Sequence, residues 1–257
     1  MRMQRMSSLR YIHWSKYSLL SFNRSNATSS RVISGGTLNT AISLFDAFPL
    51  NEIRKSFEQW SLAPTPGKSH GRPSIWTLLT GLRTVPGLGQ LTTSITSKTN
   101  AAIVDRSGSL LEYGPEFRFD ELLRPNSAFA GFLMHWSIIL GSLMILLPPV
   151  RWLLLKVVYQ PGQGPARDDQ SKDHVEYRAI GETDSRDGKK VFAKLTKTGN
   201  MYEFTGILLA VGASVLARAS DKTAAGKRRG FCTPAMLGDQ YIEGMKKTGM
   251  TLEAHVV

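Results

Sequence analysis

The sequence predicts an α+β fold, a mixed sheet flanked by helices and interrupted by one membrane-seeking segment, from three observations. Residues 174–180 (HVEYRAI) and 190–195 (KVFAKL) alternate apolar and polar side chains at the period of a strand, with the acidic, glycine-bearing ETDSRDGK between them as a hairpin connection. Thr233 and Pro234 open a capped helix with Met236, Leu237, Tyr241, Ile242 and Met245 on its apolar face, and Gly249 ends it before a strand over 251–256. Residues 127–150 contain not one formally charged side chain. A helix of that length, at about 1.5 Å per residue, reaches about 36 Å, enough to cross a hydrocarbon core of about 30 Å.

Composition narrows the partners. A chain of 257 residues can bury a core of one or two domains, and its 42% apolar and 20% charged content are those of a globular protein. The single cysteine, Cys232, excludes an internal disulfide and a cysteine-based metal site. A net charge of +12 invites a nucleic-acid reading, but Lys and Arg are spread over the whole chain and form no basic stripe with interleaved aromatics. Anionic lipid, or the matrix side of an organelle, fits that distribution better, and no nucleic-acid partner is expected. His13, His70, His135, His174 and His255 have no ligand spacing, so no metal site is expected. The adjacent carboxylates Asp120-Glu121 and Asp168-Asp169 point apart and read as solvated charges.

Residues 1–30 carry Arg2, Arg5, Arg10, Lys16 and Arg24, many serines and no acid, the composition of a mitochondrial presequence or of a solvated or misassigned terminus. No apolar patch there reaches the length of a secretory signal. Residues 31–126 read as an α/β part. Val32 and Ile33 end a strand, Ser34, Gly35 and Gly36 make a tight turn with positive φ, and Thr37 caps a helix with Leu38, Ala41, Ile42 and Phe45 on one face. Such a turn can hold a cofactor phosphate, which makes Ser34, Gly35, Gly36 and Thr37 the candidate binding residues; a plain α/β connection is the alternative. Residues 51–60 form a short helix through Ile53, Phe57 and Trp60, 63–72 a loop, and 76–82 a short apolar element. Gly87 and Gly89 do not make a dinucleotide fingerprint, because no strand is expected to run into them and no third glycine follows. Residues 101–105 and 110–113 read as short strands around the turn Arg106-Ser107-Gly108.

The segment 127–158 reads as membrane-associating, with a buried core helix as the alternative. Pro148 and Pro149 stop or bend it, so a shallow hairpin competes with a full crossing, and Arg151, Trp152, Lys156 and Tyr159 are the anchors expected at head groups. The remainder, 159–257, continues the α+β domain, with a solvated loop over 159–173, a core helix over 205–216 and a basic surface loop over 222–230 (KTAAGKRRG). No catalytic constellation is evident.

An ordered series of motifs carries a family resemblance: SGGT (34–37), TVPGLGQLTTS (84–94), YGPEFRF (113–119), LLPPVRWLL (146–154), VYQPGQGP (158–165), VEYRAI (175–180), MYEFTGILLA (201–210) and TPAMLG (233–238). From 31 to 257 the chain resembles the C-terminal half of fungal saccharopine dehydrogenase-like oxidoreductases, known also as trans-acting enoyl reductases. The resemblance implies a preceding Rossmann domain that binds NADP or NAD, an α/β domain with an inserted hydrophobic segment, and attachment to lipid droplets, mitochondria or other membranes in lipid or glycolipid metabolism, with a lipid-like substrate. Only about thirty residues precede SGGT here, too few for a nucleotide-binding βαβ unit. The expectation is therefore no complete Rossmann domain, no cofactor held by this chain alone, and either a truncated gene product or a non-catalytic, membrane-anchored interaction protein.

Overall fold

The computed structural model describes residues 9–17, 35–68, 71, 73–157, 174–183, 189–199 and 201–256. Seven strands form one mixed sheet in the order β2-β3-β4-β1-β5-β6-β7. They are β1 (Leu9–Tyr17), β2 (Arg83–Val85), β3 (Gly89–Thr93), β4 (Phe119–Leu123), β5 (His174–Thr183), β6 (Lys190–Thr198) and β7 (Thr251–Val256). The fourth position belongs to β1, parallel to β4 with His13 opposite Asp120 and antiparallel to β5 with His13 opposite Ile180. The other pairings are antiparallel. A strand in the basic N-terminal stretch was not anticipated from composition.

Helices α1 (Gly35–Ala47), α2 (Leu50–Ser56), α3 (Ile75–Thr80), α4 (Ser97–Leu110), α5 (Ala128–Ile145), α6 (Pro148–Val157), α7 (Met201–Ala219), α8 (Ala224–Arg228) and α9 (Gly238–Lys247) surround the sheet. Alternation along β5 and β6 splits the core in two, since successive side chains leave a strand on opposite faces. On one face Val175, Tyr177 and Leu195 meet Phe204, Val211 and Val215 of α7 and Met245 of α9. Tyr177 stacks on Phe204 with ring centroids 5.9 Å apart, and the Tyr241 hydroxyl donates to the Leu208 carbonyl at 3.0 Å, tying α9 to α7. On the other face Ile180 packs with Val85, Leu88 and Leu91 of the β2–β3 hairpin, with Leu122 and Phe192 against them.

Several expectations are corrected. The strand expected over 101–105 lies within one helix, α4, and the strand expected over 110–113 is the end of that helix and the turn after it; Ile103 and Val104 look strand-like locally, but Ala102, Asp105 and Gly108 at helical spacing are buried, and a Cβ on Gly108 would lie 2.7 Å from the Phe117 ring. A strand, β2, does run into Gly87 and Gly89, where positive φ values of 81° and 85° turn it back into β3. Gly36 is not in a strained turn but in the first turn of α1 with Gly35, and its carbonyl accepts from Thr40 Oγ1 at 2.8 Å. Residues 224–228 of the expected basic loop are helix α8, capped by Thr223 Oγ1 accepting from the Gly226 N–H at 3.0 Å, with Ala225 buried. Thr233 precedes a 3-10 turn, Pro234–Leu237, but caps nothing; its hydroxyl accepts from Ser107 Oγ at 2.8 Å. The strand ending at Val32 and Ile33 lies outside the described residues.

The hairpin β5–β6 and strand β7 stand where the sequence puts them, whereas the helix expected from Pro234 is a 3-10 turn over Pro234–Leu237 and then α9 from Gly238, closed before Gly249 at φ 80°. So does the break at the double proline, which separates α5 from α6.

Candidate functional site

Helix α5 is the apolar stretch, started by Ser127, whose hydroxyl accepts from the Ala130 N–H at 3.1 Å. One side of it rests on the protein. The Gly131 carbonyl accepts from Thr92 Oγ1 at 2.8 Å, and a Cβ on Gly131 would lie 2.7 Å from Leu82, so the helix sits close on β3. His135 is buried between Thr93 Oγ1 on Nδ1, at 2.7 Å, and the Leu78 carbonyl on Nε2, at 3.0 Å. A carbonyl only accepts, so Nε2 carries the proton, and in the neutral ring Nδ1 accepts from the Thr93 hydroxyl. The Trp136 indole N–H donates to the Leu79 carbonyl at 3.1 Å. These two bonds cap the C-terminal end of α3, whose last turn closes at Gly81 with φ 69°.

Among the described residues nothing covers the other side of α5. Phe129, Leu133, Leu140, Leu143 and Met144 are exposed, and so are Ile75, Trp76 and Leu79 on α3 and Trp152 and Leu153 on α6. Burial of one such side chain is worth about 1.5–3 kcal/mol, so a face of this size left in water is unfavourable and marks an interaction surface. At the corner between α5 and α6, Arg151 donates to the carbonyls of Ile145 and Leu146 at 3.2 and 3.1 Å. Its other nitrogen pairs with Asp46 of α1 at 3.2 Å, and its guanidinium lies over Phe45, 6.0 Å from the ring centre. Lys156 sits 3.7 Å over the Trp152 ring. Among the described residues two helical stretches are long and apolar enough to cross a membrane, Ala128–Ile145 and Tyr202–Lys222, the latter covering α7 from its second residue on. Phe204, Val211 and Val215 of α7 are buried in the core, whereas Tyr202, Leu209 and Leu216 on the same helix are exposed, so α7 is not the fully buried core helix expected.

Beneath the α5 contact lies a buried polar cluster. Glu121 on β4 accepts from Ser94 Oγ at 2.7 Å, from Thr96 Oγ1 at 2.6 Å and from the Asn100 amide. Three donors from one connection clamp α4 to the sheet through that carboxylate. Glu121 thus corrects the expectation of a solvated pair; its neighbour Asp120 points to the opposite face and pairs with Arg83 at 2.7 Å. Burial, and then the charge of Glu121, push the Tyr177 hydroxyl well above the usual phenol range. Asp105 on α4 is 2% exposed, and its pKa is pushed up to about 6 by burial first and by Asp120, against the Trp60 backbone N–H and Lys98. On the far face Glu176 is paired with Arg178 at 2.7 Å and Lys194 at 3.2 Å. Among the described residues no three His, Cys, Asp or Glu side chains converge as metal ligands.

Of the candidate phosphate residues, Gly35, Gly36 and Thr37 form the first turn of α1, and Ser34 lies outside the described residues, as does Asp168-Asp169. Gly87 and Gly89 do not fit a dinucleotide: a hairpin strand, not a helix N-terminus, follows them. Sequence reading missed Glu121 and Asp105, each an acid in a short stretch that looked exposed. A usable signal was the polar spacing Ser94, Thr96, Asn100 ahead of an apolar helix face.

The chain is 30% identical over 166 residues to a trans-acting enoyl reductase of Mycobacterium ulcerans, which covers 60% of this chain and 38% of that protein. The trans-acting enoyl reductases of Mycobacterium bovis and Mycobacterium tuberculosis are 28% identical over 165 residues, with the same coverage. The chain spans about two-fifths of the length of these curated relatives. No family model matches it. No solved structure matches it. The similarity supports an enoyl-reductase-like oxidoreductase relationship.

Proposed function

We propose that this chain is the C-terminal portion of a saccharopine dehydrogenase-like, enoyl-reductase-like oxidoreductase of the fungal type, working at a membrane or lipid-droplet surface on a lipid-like acyl substrate. The observation that carries the reading is the similarity to trans-acting enoyl reductases over 60% of the chain. The uncharged, outward-facing side of α5 supports a place at lipid, whether a droplet, a mitochondrial or another membrane. Reduction of an enoyl group needs a hydride donor, which the family resemblance implies is NADP or NAD. The glycine turn at Gly87 and Gly89 is a hairpin, so no step of hydride transfer is assigned to these residues.

The test is the native protein. Its mass and its transcript establish whether a strand followed by G-x-G-x-x-G is fused ahead of residue 31, and the isolated protein is assayed for NADPH oxidation with α,β-unsaturated acyl thioesters. Enoyl-dependent NADPH consumption supports the enzyme reading. A native protein that binds no nicotinamide nucleotide by calorimetry and still sediments with membranes overturns it in favour of a non-catalytic, membrane-anchored interaction protein.

A further inference from the structure

We infer a second lipid contact, remote in sequence from α5, in which Phe231 inserts at an anionic lipid surface beside Lys227, Arg228 and Arg229. The inference rests on the membrane part of the proposed function and adds a site and a lipid charge to it. Phe231 is 91% exposed, the most exposed of the large apolar side chains described. Its backbone is nevertheless held. Arg106 Nη2 donates to the Phe231 carbonyl at 2.7 Å, and Cys232 Sγ lies 3.6 Å from the Ala225 carbonyl and 3.7 Å from that of Arg229, closing the loop on α8. Arg229 at φ 61° and Gly230 at φ 80° turn the chain outward, a left-handed conformation that Arg rarely adopts. The loop therefore presents the ring while fixing its base.

Two features say what the ring meets. Lys227 and Arg228 occupy the last turn of α8, Arg229 follows, and all three are exposed, with no acidic residue from 222 to 231. A cluster of cations round an apolar wedge suits anionic head groups, where each Lys or Arg near the surface adds to binding and a Phe reaches the acyl boundary. The second feature is a series of contacts that leads from the Phe231 loop to the α5–α6 corner. The same Arg106 guanidinium donates through Nη1 to the Leu62 carbonyl at 2.7 Å, which brings the Phe231 loop against the segment that follows α2. Leu62 and Phe57 are exposed there, and Leu50 and Phe48 precede them. From Phe48 the chain leads back to Asp46, the residue that Arg151 ties to the α5–α6 corner. The Phe231 loop and the α5–α6 corner thus lie at two ends of one connected series of elements, each with exposed apolar side chains.

The test uses the full chain synthesised in the presence of vesicles, either phosphatidylcholine alone or phosphatidylcholine with phosphatidylserine, and reads hydroxyl-radical oxidation at Phe231 and at Phe129 of α5. Protection of both on anionic vesicles is expected, with protection of Phe231 lost on phosphatidylcholine alone and in Lys227→Gln/Arg228→Gln. In flotation of the peripheral pool, Phe231→Ala is expected to weaken partitioning about tenfold and Phe231→Trp to retain it. Phe129 protected and Phe231 oxidised as in buffer would overturn the second contact and leave the membrane reading standing. Neither ring protected would overturn both. Because Phe231 is 91% exposed among the described residues, its replacement leaves the fold intact, which an unchanged melting temperature verifies.

Discussion

Asp105 carries the clearest prediction at the scale of one residue. Its carboxyl is easier to protonate in the folded chain, at about 6, than in the unfolded chain near 3.8. Folding therefore takes up a proton here: the favourable contribution is complete below 3.8 and is lost as pH rises through about 6. At about 1.4 kcal/mol per unit the loss is on the order of 2–3 kcal/mol. Asp105→Asn, which keeps an acceptor for the Trp60 N–H, should be more stable than the parent at pH 7 and lose the advantage near pH 4. Urea unfolding at both pH values measures it, and parallel curves would refute the burial argument. Gly81→Ala should cost on the order of 2 kcal/mol or more, since φ is 69° and the new Cβ would fall 2.2 Å from the His135 ring. Gly36→Ala, by contrast, should be neutral or stabilise by about 0.5–1 kcal/mol, because α1 begins ahead of it; thermal unfolding distinguishes the two. At this scale little was legible. His135 reads in the sequence as one of five scattered histidines, and Thr93 and the Leu78 carbonyl, brought in from β3 and α3, explain its place.

At the scale of elements, patterns with a strong period were readable and short mixed stretches were not. The β5–β6 hairpin and β7 follow from alternation and the end of α9 from a glycine stop, local signals, whereas the proline expected to start that helix opens the 3-10 turn before it. Helix α4 was not readable, because Ile103 and Val104 favour a strand until β4 and the Phe117 ring supply a surface for its small residues to bury. Strand β1 has no contrast between faces that composition could reveal, and its neighbours β4 and β5 lie more than a hundred residues away. The α5–α6 corner combines both kinds of information. Pro148 announces the break, but the geometry depends on Arg151, which satisfies two carbonyls at the end of α5 and reaches Asp46. Arg151 is largely buried, so Arg151→Met should loosen the corner by on the order of 1–3 kcal/mol, whereas Asp46→Asn, at an exposed carboxylate, should cost no more than about 1 kcal/mol. Limited proteolysis around residues 146–148 reads the difference, and equal cleavage of both variants and the parent would remove Arg151 from its positioning role.

For the whole molecule the sheet, its two cores and the Glu121 clamp form a scaffold, and helices α3, α5 and α6 lay an apolar face along one part of it. That face is the surface on which the proposed place at lipid rests. Membrane fractionation of the unmutated chain beside Leu140→Lys/Leu143→Lys tests it most directly. Both leucines lie on the outward side of α5, 52% and 55% exposed, so lysine there disturbs no packing within the protein. Each lysine in hydrocarbon costs roughly 2.5–3.5 kcal/mol, enough to shift partitioning about a hundredfold. The parent chain should resist carbonate extraction and dissolve in detergent, the double variant should move to the soluble fraction with its melting temperature kept, and charge changes at 166–173 should move nothing. A parent chain freely soluble in plain buffer, or a double variant that stays with the membrane, would contradict the lipid-facing assignment of α5.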